Sequence, residues 1–375
     1  MIPPFWDKHH EKSVNEDSEQ MKLWGYRLVF VVLSAARLSS SQQVGDPCFR
    51  QDRTRGTCRD ISDCVGSNGQ IENAGRLELC GGSSFSRVVA CCRRTPETIA
   101  RQKCEEWKRQ ANQDGSLCQT NIPLARGGTE ANVGEFPHMV SILQSRGEAN
   151  LVHVCGGVLI SERYVLTAAH CLEDGKAIYV RIGGHDLRNR EAGDFDSEVA
   201  VSIKHPEYRQ PRRYNDIALL RLRLKVPFSR RIRPACLPNS DVRVSFGTKM
   251  VVAGWGAYES RGRTSDILRK AEVTVIDRLR CDTNSFISDI TNSPQYPVGI
   301  TDSIICADET ESGACTGDSG GPLMMNTQTA CEVREVVGLV SRGVPECQRT
   351  NVPGIYTRVE YYLDWIVRVV WSDEL

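Results

Sequence analysis

Short apolar runs separated by turn residues dominate the chain from about Ala125 to its end. The runs include HMVSILQ, YVLTAA, IYVRIGG, DIALLRL, KMVVAGWG, REVVGLVS and GIYTRV. Gly, Pro, Asn and Asp punctuate them, which predicts the short strands of a mostly β barrel or sandwich. The terminal stretch VEYYLDWIVRVVW instead has apolar residues at helical spacing and predicts one docked helix.

The sequence before this β-rich part has a different character. Residues 1–20 are polar and unexplained. Residues 21–41 combine a basic start, an apolar run from Leu28 to Leu33 and small residues, which is the pattern of a secretory signal peptide too short to span a bilayer. Residues 93–124 form a polar linker, in which PETIARQKCEEWKRQ predicts a helix.

Sixteen cysteines, an even and high number, indicate disulfide bonds formed in an oxidising compartment. Six of them fall within residues 48–92, a segment too small to bury much core, so disulfide bonds must hold it together. With the signal peptide, this predicts a secreted, extracellular protein.

Basic and acidic side chains balance, with 47 Lys and Arg against 47 Asp and Glu. A net charge of zero argues against nucleic acid or an anionic membrane as a main partner. The basic stretch RLRLKVPFSRRIR is interpreted as a solvated face. No other stretch is long and apolar enough to cross a membrane.

Three stretches carry the residue types of a nucleophilic catalyst. LTAAHCL contains His170, YNDIALLRL contains Asp216 and TGDSGGP contains Ser319. A serine hydroxyl needs a base near neutral pH, histidine has a suitable pKa, and a buried carboxylate fixes the histidine tautomer. Each residue alone is weak evidence, whereas the three motifs in this order are specific.

The motifs TAAHC, DIALL, GWG and GDSGGP make residues 125–375 resemble a chymotrypsin-family serine protease domain. The resemblance implies two packed six-stranded β-barrels and a C-terminal helix. It implies that His170 is the general base, Asp216 its orienting partner and Ser319 the nucleophile. It also implies an oxyanion hole formed by the N–H groups of Gly317 and Ser319.

Residues 48–92 resemble the small, disulfide-rich clip domain of Snake-like arthropod proteases. The two resemblances together imply the disulfide bonds Cys48–Cys91, Cys58–Cys80, Cys64–Cys92, Cys155–Cys171, Cys281–Cys306 and Cys315–Cys347. For the remaining four cysteines, we expect Cys118–Cys236 and Cys104–Cys331. Either of these bonds would keep the N-terminal part tied to the protease domain after the chain is cut.

Proteases of this family are made as zymogens, and the resemblance implies that a new N-terminus pairs with Asp318. By spacing, the cut follows Leu124 and the new chain starts at Ala125, so the activating protease prefers an apolar residue. Ala125 replaces a large aliphatic residue, which weakens insertion by about 2–3 kcal/mol. A cut after Arg126 is the alternative and leaves a start two residues short.

The primary specificity pocket is expected to be deep and neutral. Gly313 stands where trypsin-like relatives have an aspartate, and Gly343 and Gly354 map to the pocket walls. Burying a substrate cation without a partner is costly, so the pattern favours a large apolar or aromatic residue before the cut. In the alternative, an acid from elsewhere, such as Glu346, partly replaces the missing aspartate and the enzyme is Arg-specific.

Two arginines are predicted to border the neighbouring subsites. Arg342 follows Ser341 where the family usually has an aromatic residue, and Arg213 lies three residues before Asp216. They favour acidic substrate residues two to four places before the cut, unless both side chains extend into solvent.

No metal or other cofactor is expected. The acidic loop EAGDFDSE lies near the family's calcium loop, but Gly184 occupies the first expected ligand position, and a solvated turn is the better interpretation.

The leading hypothesis is a zymogen-type endopeptidase of an extracellular cascade in innate immunity (melanisation or Toll-type signalling) or development. Its expected partners are an upstream activating protease, a downstream protease zymogen as substrate, and a serpin inhibitor. A non-catalytic clip-domain homologue that acts as a cascade cofactor is the rival, but it would usually lack the serine. A digestive chymotrypsin is a third possibility, and the clip segment argues against it.

Overall fold

The structure, a computed structural model, describes residues 43–51, 53, 55–61, 64, 78–80, 88–113, 128–145, 151–173, 178–238, 244–258, 263–283, 294–310, 313–326, 333–342 and 352–375. The chain divides into two compact units, Met1–Arg93 and Arg94–Leu375.

The first unit contains a small antiparallel sheet of β1 (Pro47–Phe49), β2 (Arg55–Asp60) and β3 (Val89–Arg93), in that order. Three disulfide bonds hold it, Cys48–Cys91, Cys58–Cys80 and Cys64–Cys92, which are the pairings that the clip-domain resemblance implies. A Cβ at Gly56 would lie 2.6 Å from the Cys91 sulfur. In its described residues, this unit is therefore packed around its cysteines rather than around a large apolar core.

The second unit contains the two predicted β-barrels. The first is a closed barrel in the order β10-β7-β6-β5-β8-β9. The second is a sheet in the order β11-β14-β15-β16-β13-β12-β4, and β11 also pairs with β12, so six of its strands close on themselves. The mostly β, two-barrel prediction is confirmed.

The strands of the first barrel are β5 (Met139–Ser145), β6 (Leu151–Leu159), β7 (Tyr164–Thr167), β8 (Ile178–Ile182), β9 (Phe195–Lys204) and β10 (Ala218–Leu222). Those of the second sheet are β4 (Thr129–Glu130), β11 (Lys249–Gly254), β12 (Arg269–Val275), β13 (Ile304–Asp308), β14 (Pro322–Met325), β15 (Val336–Arg342) and β16 (Gly354–Arg358).

Helices lie before, within and after the barrels. They are α1 (Pro96–Gln113), α2 (Arg278–Thr283) and α3 (Leu363–Val370), with short 3₁₀ turns at Ala169–Leu172, Glu360–Tyr362 and Ser372–Glu374. The predicted linker helix and terminal helix are therefore both present. Among the helices in the described residues, none has the length and apolar character needed to cross a membrane.

Helix α1 begins where its sequence favours a start and then docks by its apolar face. Thr95 caps it, because its hydroxyl accepts the N–H of Thr98, and Pro96 stands at the first helical position. Its buried residues include Trp107, and α1 packs against α3. The ammonium of Lys103 lies 2.8 Å from a carboxylate oxygen of Glu374 near the chain end.

The linker disulfide differs from the expectation. Cys104, on the buried face of α1, bonds with Cys236. Each cysteine forms one disulfide, so the expected bonds Cys118–Cys236 and Cys104–Cys331 are wrong. Spacing could not reveal that the docked face of α1 brings Cys104 to Cys236. Cys118 and Cys331 lie outside the described residues.

A buried ion pair connects the segment before β5 to the second barrel. The Lys270 ammonium lies 2.6 Å from an Oε1 of Glu135, and both side chains are almost fully buried. Glu135 also accepts the N–H of Asn132 through its other oxygen, at 2.9 Å. The beginning of the barrel region is therefore anchored to β12 by a charge pair that water does not screen.

We predict that Lys270→Ala lowers the free energy of unfolding by about 3–5 kcal/mol, because it leaves the Glu135 carboxylate buried without its partner. The matched control is Lys249→Ala, whose lysine is 62% exposed and pairs with Glu272 on the surface. The control should cost less than about 1 kcal/mol. Urea unfolding measures both, and equal costs for the two variants would contradict the buried-pair interpretation.

Candidate active site

His170 and Asp216 are held together by two hydrogen bonds. His170 lies in the 3₁₀ turn directly after β7, and Asp216 lies two residues before β10, which pairs with β7. The Nδ1 of His170 is 2.8 Å from Oδ2 of Asp216, and the His170 N–H donates to Oδ1 at 2.9 Å. This geometry places the proton of the neutral ring on Nδ1 and leaves Nε2 as the free base.

The second barrel supplies two further contacts to Asp216. The Ser341 hydroxyl on β15 donates to Oδ2 at 2.5 Å, and the Thr357 hydroxyl on β16 donates to the main-chain oxygen at 2.9 Å. Asp216 itself is fully buried. Burial alone would raise its pKa, but the charge and hydrogen bonds of His170 and the Ser341 hydroxyl lower it overall. The carboxylate therefore stays ionised beside the imidazole.

Ser319 lies in a tight loop that packs against the end of β7. Its carbonyl oxygen accepts the N–H of Gly156 at 2.8 Å. The next residue, Gly320, has φ +76°, and a Cβ there would lie 2.7 Å from the Gly156 oxygen and 3.0 Å from the Ala168 nitrogen. Only glycine fits this position. The structure thus brings the segment of Ser319 beside the turn that carries His170.

The predicted oxyanion hole has the backbone it needs. Gly317 has φ +101°, and a Cβ there would lie 3.0 Å from the Cα of Gly256. Its carbonyl oxygen is 3.0 Å from Nε2 of His153, whose Nδ1 is 2.8 Å from the Ser141 hydroxyl. The N–H groups of Gly317 and Ser319 donate to no acceptor within the described residues. Both donors are therefore available to a ligand oxygen.

Burial keeps the His153 ring neutral, since it lowers the pKa of that histidine to about 4, although the bond to Gly317 opposes this. A neutral ring donates from Nε2 to Gly317 and accepts the Ser141 hydroxyl at Nδ1. His153 and Ser341 are site residues that the sequence analysis missed. A histidine two places before Cys155 was the available signal for the first, and Ser341 carried none.

Asp318, next to Ser319, directs its carboxylate into a space that glycines leave open. The carboxylate accepts the N–H groups of Gly256 at 2.7 Å and Cys315 at 2.9 Å. A Cβ at Gly254 or Gly256 would lie within 2.8 Å of its Cγ. Burial raises the pKa of Asp318 to about 6, although the hydrogen bonds from the two N–H groups act to lower it. Its proposed partner Ala125, and Leu124, lie outside the described residues.

The predicted specificity pocket contains an acid that the sequence analysis did not identify. Gly313 and Gly354 both border Glu309, which directly follows β13 and is 5% exposed. The Tyr356 hydroxyl donates to its Oε1, and its Oε2 has no hydrogen-bond partner among the described residues. The expectation of a deep pocket without an acid at these glycines is therefore wrong, because a carboxyl group borders both of them.

Glu309 can lie beside these glycines because they leave room for its side chain. Without side chains, Gly313 and Gly354 leave a volume that a glutamate four residues before Gly313 fills. Burial raises the pKa of Glu309 to about 8, although the Tyr356 hydroxyl and the nearby Ala314 N–H oppose this. Gly343, the third predicted wall residue, and Glu346, the alternative acid, lie outside the described residues.

The two predicted subsite arginines come together around Gln295. The Arg213 N–H donates to the Gln295 main-chain oxygen at 2.9 Å, and Arg342 donates from Nη1 to its side-chain oxygen at 2.7 Å. Both arginines are partly exposed. Arg342 directly follows Ser341 at the end of β15, and its guanidinium is held by Gln295.

The acidic loop near Gly184 has its carboxylates paired with arginines. Arg231 lies 2.7 Å from Glu191 and 3.2 Å from Asp194, and Arg181 lies 2.9 Å from Asp196. These three carboxylates therefore already have positively charged partners, and such a set of paired ligands does not favour a calcium site.

Comparison with known proteins places this site in a family. Residues 125–366 match the model of the trypsin family. The chain is similar to the serine protease snk of Drosophila melanogaster, at 30% identity over 99% of this chain and 90% of that protein. It is also similar to phenoloxidase-activating factor 3 of Holotrichia diomphalia (31%, covering 90% and 98%) and to the proclotting enzyme of Tachypleus tridentatus (29%, covering 85% and 88%).

The similarity covers 90% of the snk protein and 98% of phenoloxidase-activating factor 3. It therefore includes the cysteine-rich first unit as well as the barrels. A family model that covers most of the chain, together with the His170–Asp216 pair beside the Ser319 loop, leads to one assignment. This chain belongs to the trypsin family and is a serine endopeptidase.

Proposed function

We propose that this endopeptidase is secreted as a zymogen, becomes active when it is cut after Leu124, and acts in an extracellular proteolytic cascade. The cascade is one of innate immunity, of the melanisation or Toll type, or of development. The signal-like residues 21–41, the disulfide-rich first unit and the similarity to a phenoloxidase-activating factor and a proclotting enzyme support this. Its partners are an upstream activating protease, a downstream protease zymogen and a serpin.

The proposed chemistry follows from the hydrogen-bond directions. His170 Nε2 removes the proton of Ser319, whose oxygen attacks the scissile carbonyl carbon. The N–H groups of Gly317 and Ser319 stabilise the resulting oxyanion, and each such donor is typically worth about 3–4 kcal/mol. His170 then protonates the leaving amine, and water hydrolyses the acyl-enzyme by the same steps. Asp216 holds the ring and stabilises its charged form.

The enclosed carboxylate of Asp318 is the observation that carries the zymogen proposal. A carboxylate whose pKa burial raises to about 6 is not well compensated by its two N–H donors. A new ammonium group from Ala125 would supply the missing positive charge and lower that pKa. Because Gly317 and Ser319 flank Asp318, fixing this carboxylate also fixes the two oxyanion donors. The rival non-catalytic function is disfavoured because His170, Asp216 and Ser319 are all present.

Two substrate classes remain for the residue before the cut. The lack of a charged side chain at Gly313 and Gly354 favours a large apolar or aromatic residue, whereas the Glu309 carboxyl that borders both glycines favours a basic one.

The zymogen proposal predicts that activity depends on a cut at Leu124 and on Asp318. Residues 120–124 are replaced by Asp-Asp-Asp-Asp-Lys, so that enteropeptidase releases a chain beginning at Ala125. Peptide hydrolysis should appear only after the cut, and Asp318→Asn should be cut equally but stay inactive. Asp364→Asn, at a surface residue of α3, is the control and should behave like the parent protein.

Full activity before the cut would refute the zymogen proposal. In naturally processed protein, a heavy chain whose N-terminal sequence reads GGTEA would refute Leu124 as the cut site.

Asp216 and Ser341 should differ strongly in their effects. In the processed enzyme, Asp216→Asn should lower kcat by about 10⁴-fold, because the amide favours the wrong histidine tautomer. Ser341→Ala removes only one of the hydrogen bonds to this carboxylate and should lower kcat by about 10-fold. Steady-state hydrolysis of one peptide measures both. A loss for Asp216→Asn no larger than that for Ser341→Ala would contradict the assigned role of Asp216.

The arginine subsites are tested with peptides that carry Glu, Asp or Ala two to four places before the cut. At low salt, the enzyme should prefer the acidic peptides, and Arg342→Ala or Arg213→Ala should reduce that preference by about 3–10-fold. Arg188→Ala, at an exposed arginine paired with Asp186, is the control. Equal rates for acidic and Ala peptides in the parent enzyme would refute the acidic subsite.

A further inference from the structure

A carboxyl group closes the space between the two pocket glycines. A Cβ at Gly354 would lie 2.8 Å from Glu309 Oε2, and a Cβ at Gly313 would lie 2.5 Å from Glu309 Cβ. The glutamate reaches this position from the end of β13, and β16, which pairs with β13, supplies both Gly354 and Tyr356. The acid is thus held by the strands that form the pocket rather than by a loose surface loop.

The side chain of Glu309 excludes any residue larger than glycine at position 313. An aspartate there would need a Cβ within 2.5 Å of Glu309 Cβ, which real structures do not tolerate. The absence of an acid at position 313 and the presence of the buried Glu309 carboxyl group beside it therefore depend on each other. Compared with the aspartate that the family resemblance places at 313, the acid of this chain lies four residues earlier in the sequence and borders the same glycine.

One oxygen of this acid is left for a ligand. Oε1 accepts the Tyr356 hydroxyl, while Oε2 is buried and has no hydrogen-bond partner within the described residues. An unpaired buried carboxylate oxygen costs free energy that a donor from a ligand recovers. A guanidinium or ammonium group supplies such donors together with the opposite charge.

We propose that Glu309 is the specificity-determining acid of this enzyme and selects Arg or Lys as the residue before the scissile bond. The inference rests on the proposed endopeptidase function and names its substrate class. It replaces the apolar preference that Gly313 alone suggests, and it identifies the downstream targets as chains that are cut after a basic residue.

The acid should also make this preference depend on pH. Asp318 and Asp308 act on Glu309 and raise its pKa further, whereas the Tyr356 hydroxyl and the Ala314 N–H lower it. With a pKa of about 8, the free pocket holds a neutral carboxyl at pH 7. A basic substrate residue binds the ionised form, so kcat/KM for Arg peptides should rise as the pH passes 8. The value for Phe peptides should not rise with it.

The experiment compares peptides with Arg, Lys, Phe, Leu or Ala before the cut, using enzyme activated by the engineered enteropeptidase site. The parent enzyme should prefer Arg or Lys. Glu309→Gln keeps the shape but not the charge, and should lower kcat/KM for Arg by at least about 100-fold while Phe changes little. Glu198→Gln removes an exposed carboxylate on β9 and should leave the profile unchanged.

A second variant guards against a folding defect in Glu309→Gln. Because the Glu309 Cβ itself excludes a side chain at 313, the acid is moved with the double variant Glu309→Gly/Gly313→Asp. This variant should restore cleavage after Arg, whereas Gly313→Asp alone should disrupt the pocket.

Three results would overturn the inference. Cleavage after Phe or Leu but not after Arg would show that Glu309 does not bind cations. An unchanged Arg-to-Phe ratio in Glu309→Gln would show that another group selects the substrate. No cleavage of any peptide, with Ser319 also unreactive toward a fluorophosphonate after a verified cut, would refute the proposed function itself and the inference with it.

Discussion

The burial of carboxylates is the physical constraint on which this active site depends. Asp216, Asp318 and Glu309 all have their carboxyl groups removed from water, where an uncompensated charge is costly. Different groups offset the free-energy cost of desolvation for each of the three acids. Asp216 has a histidine and a hydroxyl, Asp318 has two backbone N–H groups, and Glu309 is held mostly as a neutral acid with a tyrosine partner. The pKa of Asp216 is therefore lowered, whereas the pKa values of Asp318 and Glu309 are raised.

Glycines make these positions possible. Asp318 fits because Gly254 and Gly256 carry no side chains, and Glu309 fits because Gly313 and Gly354 carry none. The two barrels contribute complementary parts, since the first provides His170 and Asp216 and the second provides the hydroxyls that hold Asp216. A change in the relative position of the barrels would break hydrogen bonds to a buried charge. The alignment of His170 is thus coupled to the stability of the whole second unit.

Much of this could be predicted from the sequence, for identifiable reasons. Strands and the terminal helix follow from local periodicity, and the positions of His170, Asp216 and Ser319 follow from motifs in which neighbouring residues are themselves constrained. Gly317 could be placed because it belongs to the same GDSGGP motif as Ser319, and the structure shows it at φ +101°. These features are encoded within a few residues of each other, so one sequence is enough to recognise them.

The remaining features depend on contacts between distant segments. Gly313 indicated empty space, but a sequence does not show which side chain fills that space, and Glu309 does so from β13. The Cys104–Cys236 bond depends on how α1 docks, and Ser341 and His153 act only through their distances to Asp216 and Gly317. Residue type and spacing predict where along the chain a functional side chain lies, whereas tertiary packing decides which distant groups its functional atoms contact.

The most direct test of this account is the proton balance when a cation enters the pocket. Calorimetric titration of the processed enzyme with benzamidine, in two pH 7 buffers of different ionisation enthalpy, measures the number of protons released. A Glu309 pKa of about 8 in the free enzyme predicts the release of close to one proton, because the bound amidinium stabilises the ionised carboxylate. Binding without proton release, or no binding of the amidine at all, would contradict the assignment of Glu309 as the buried acid of the specificity pocket.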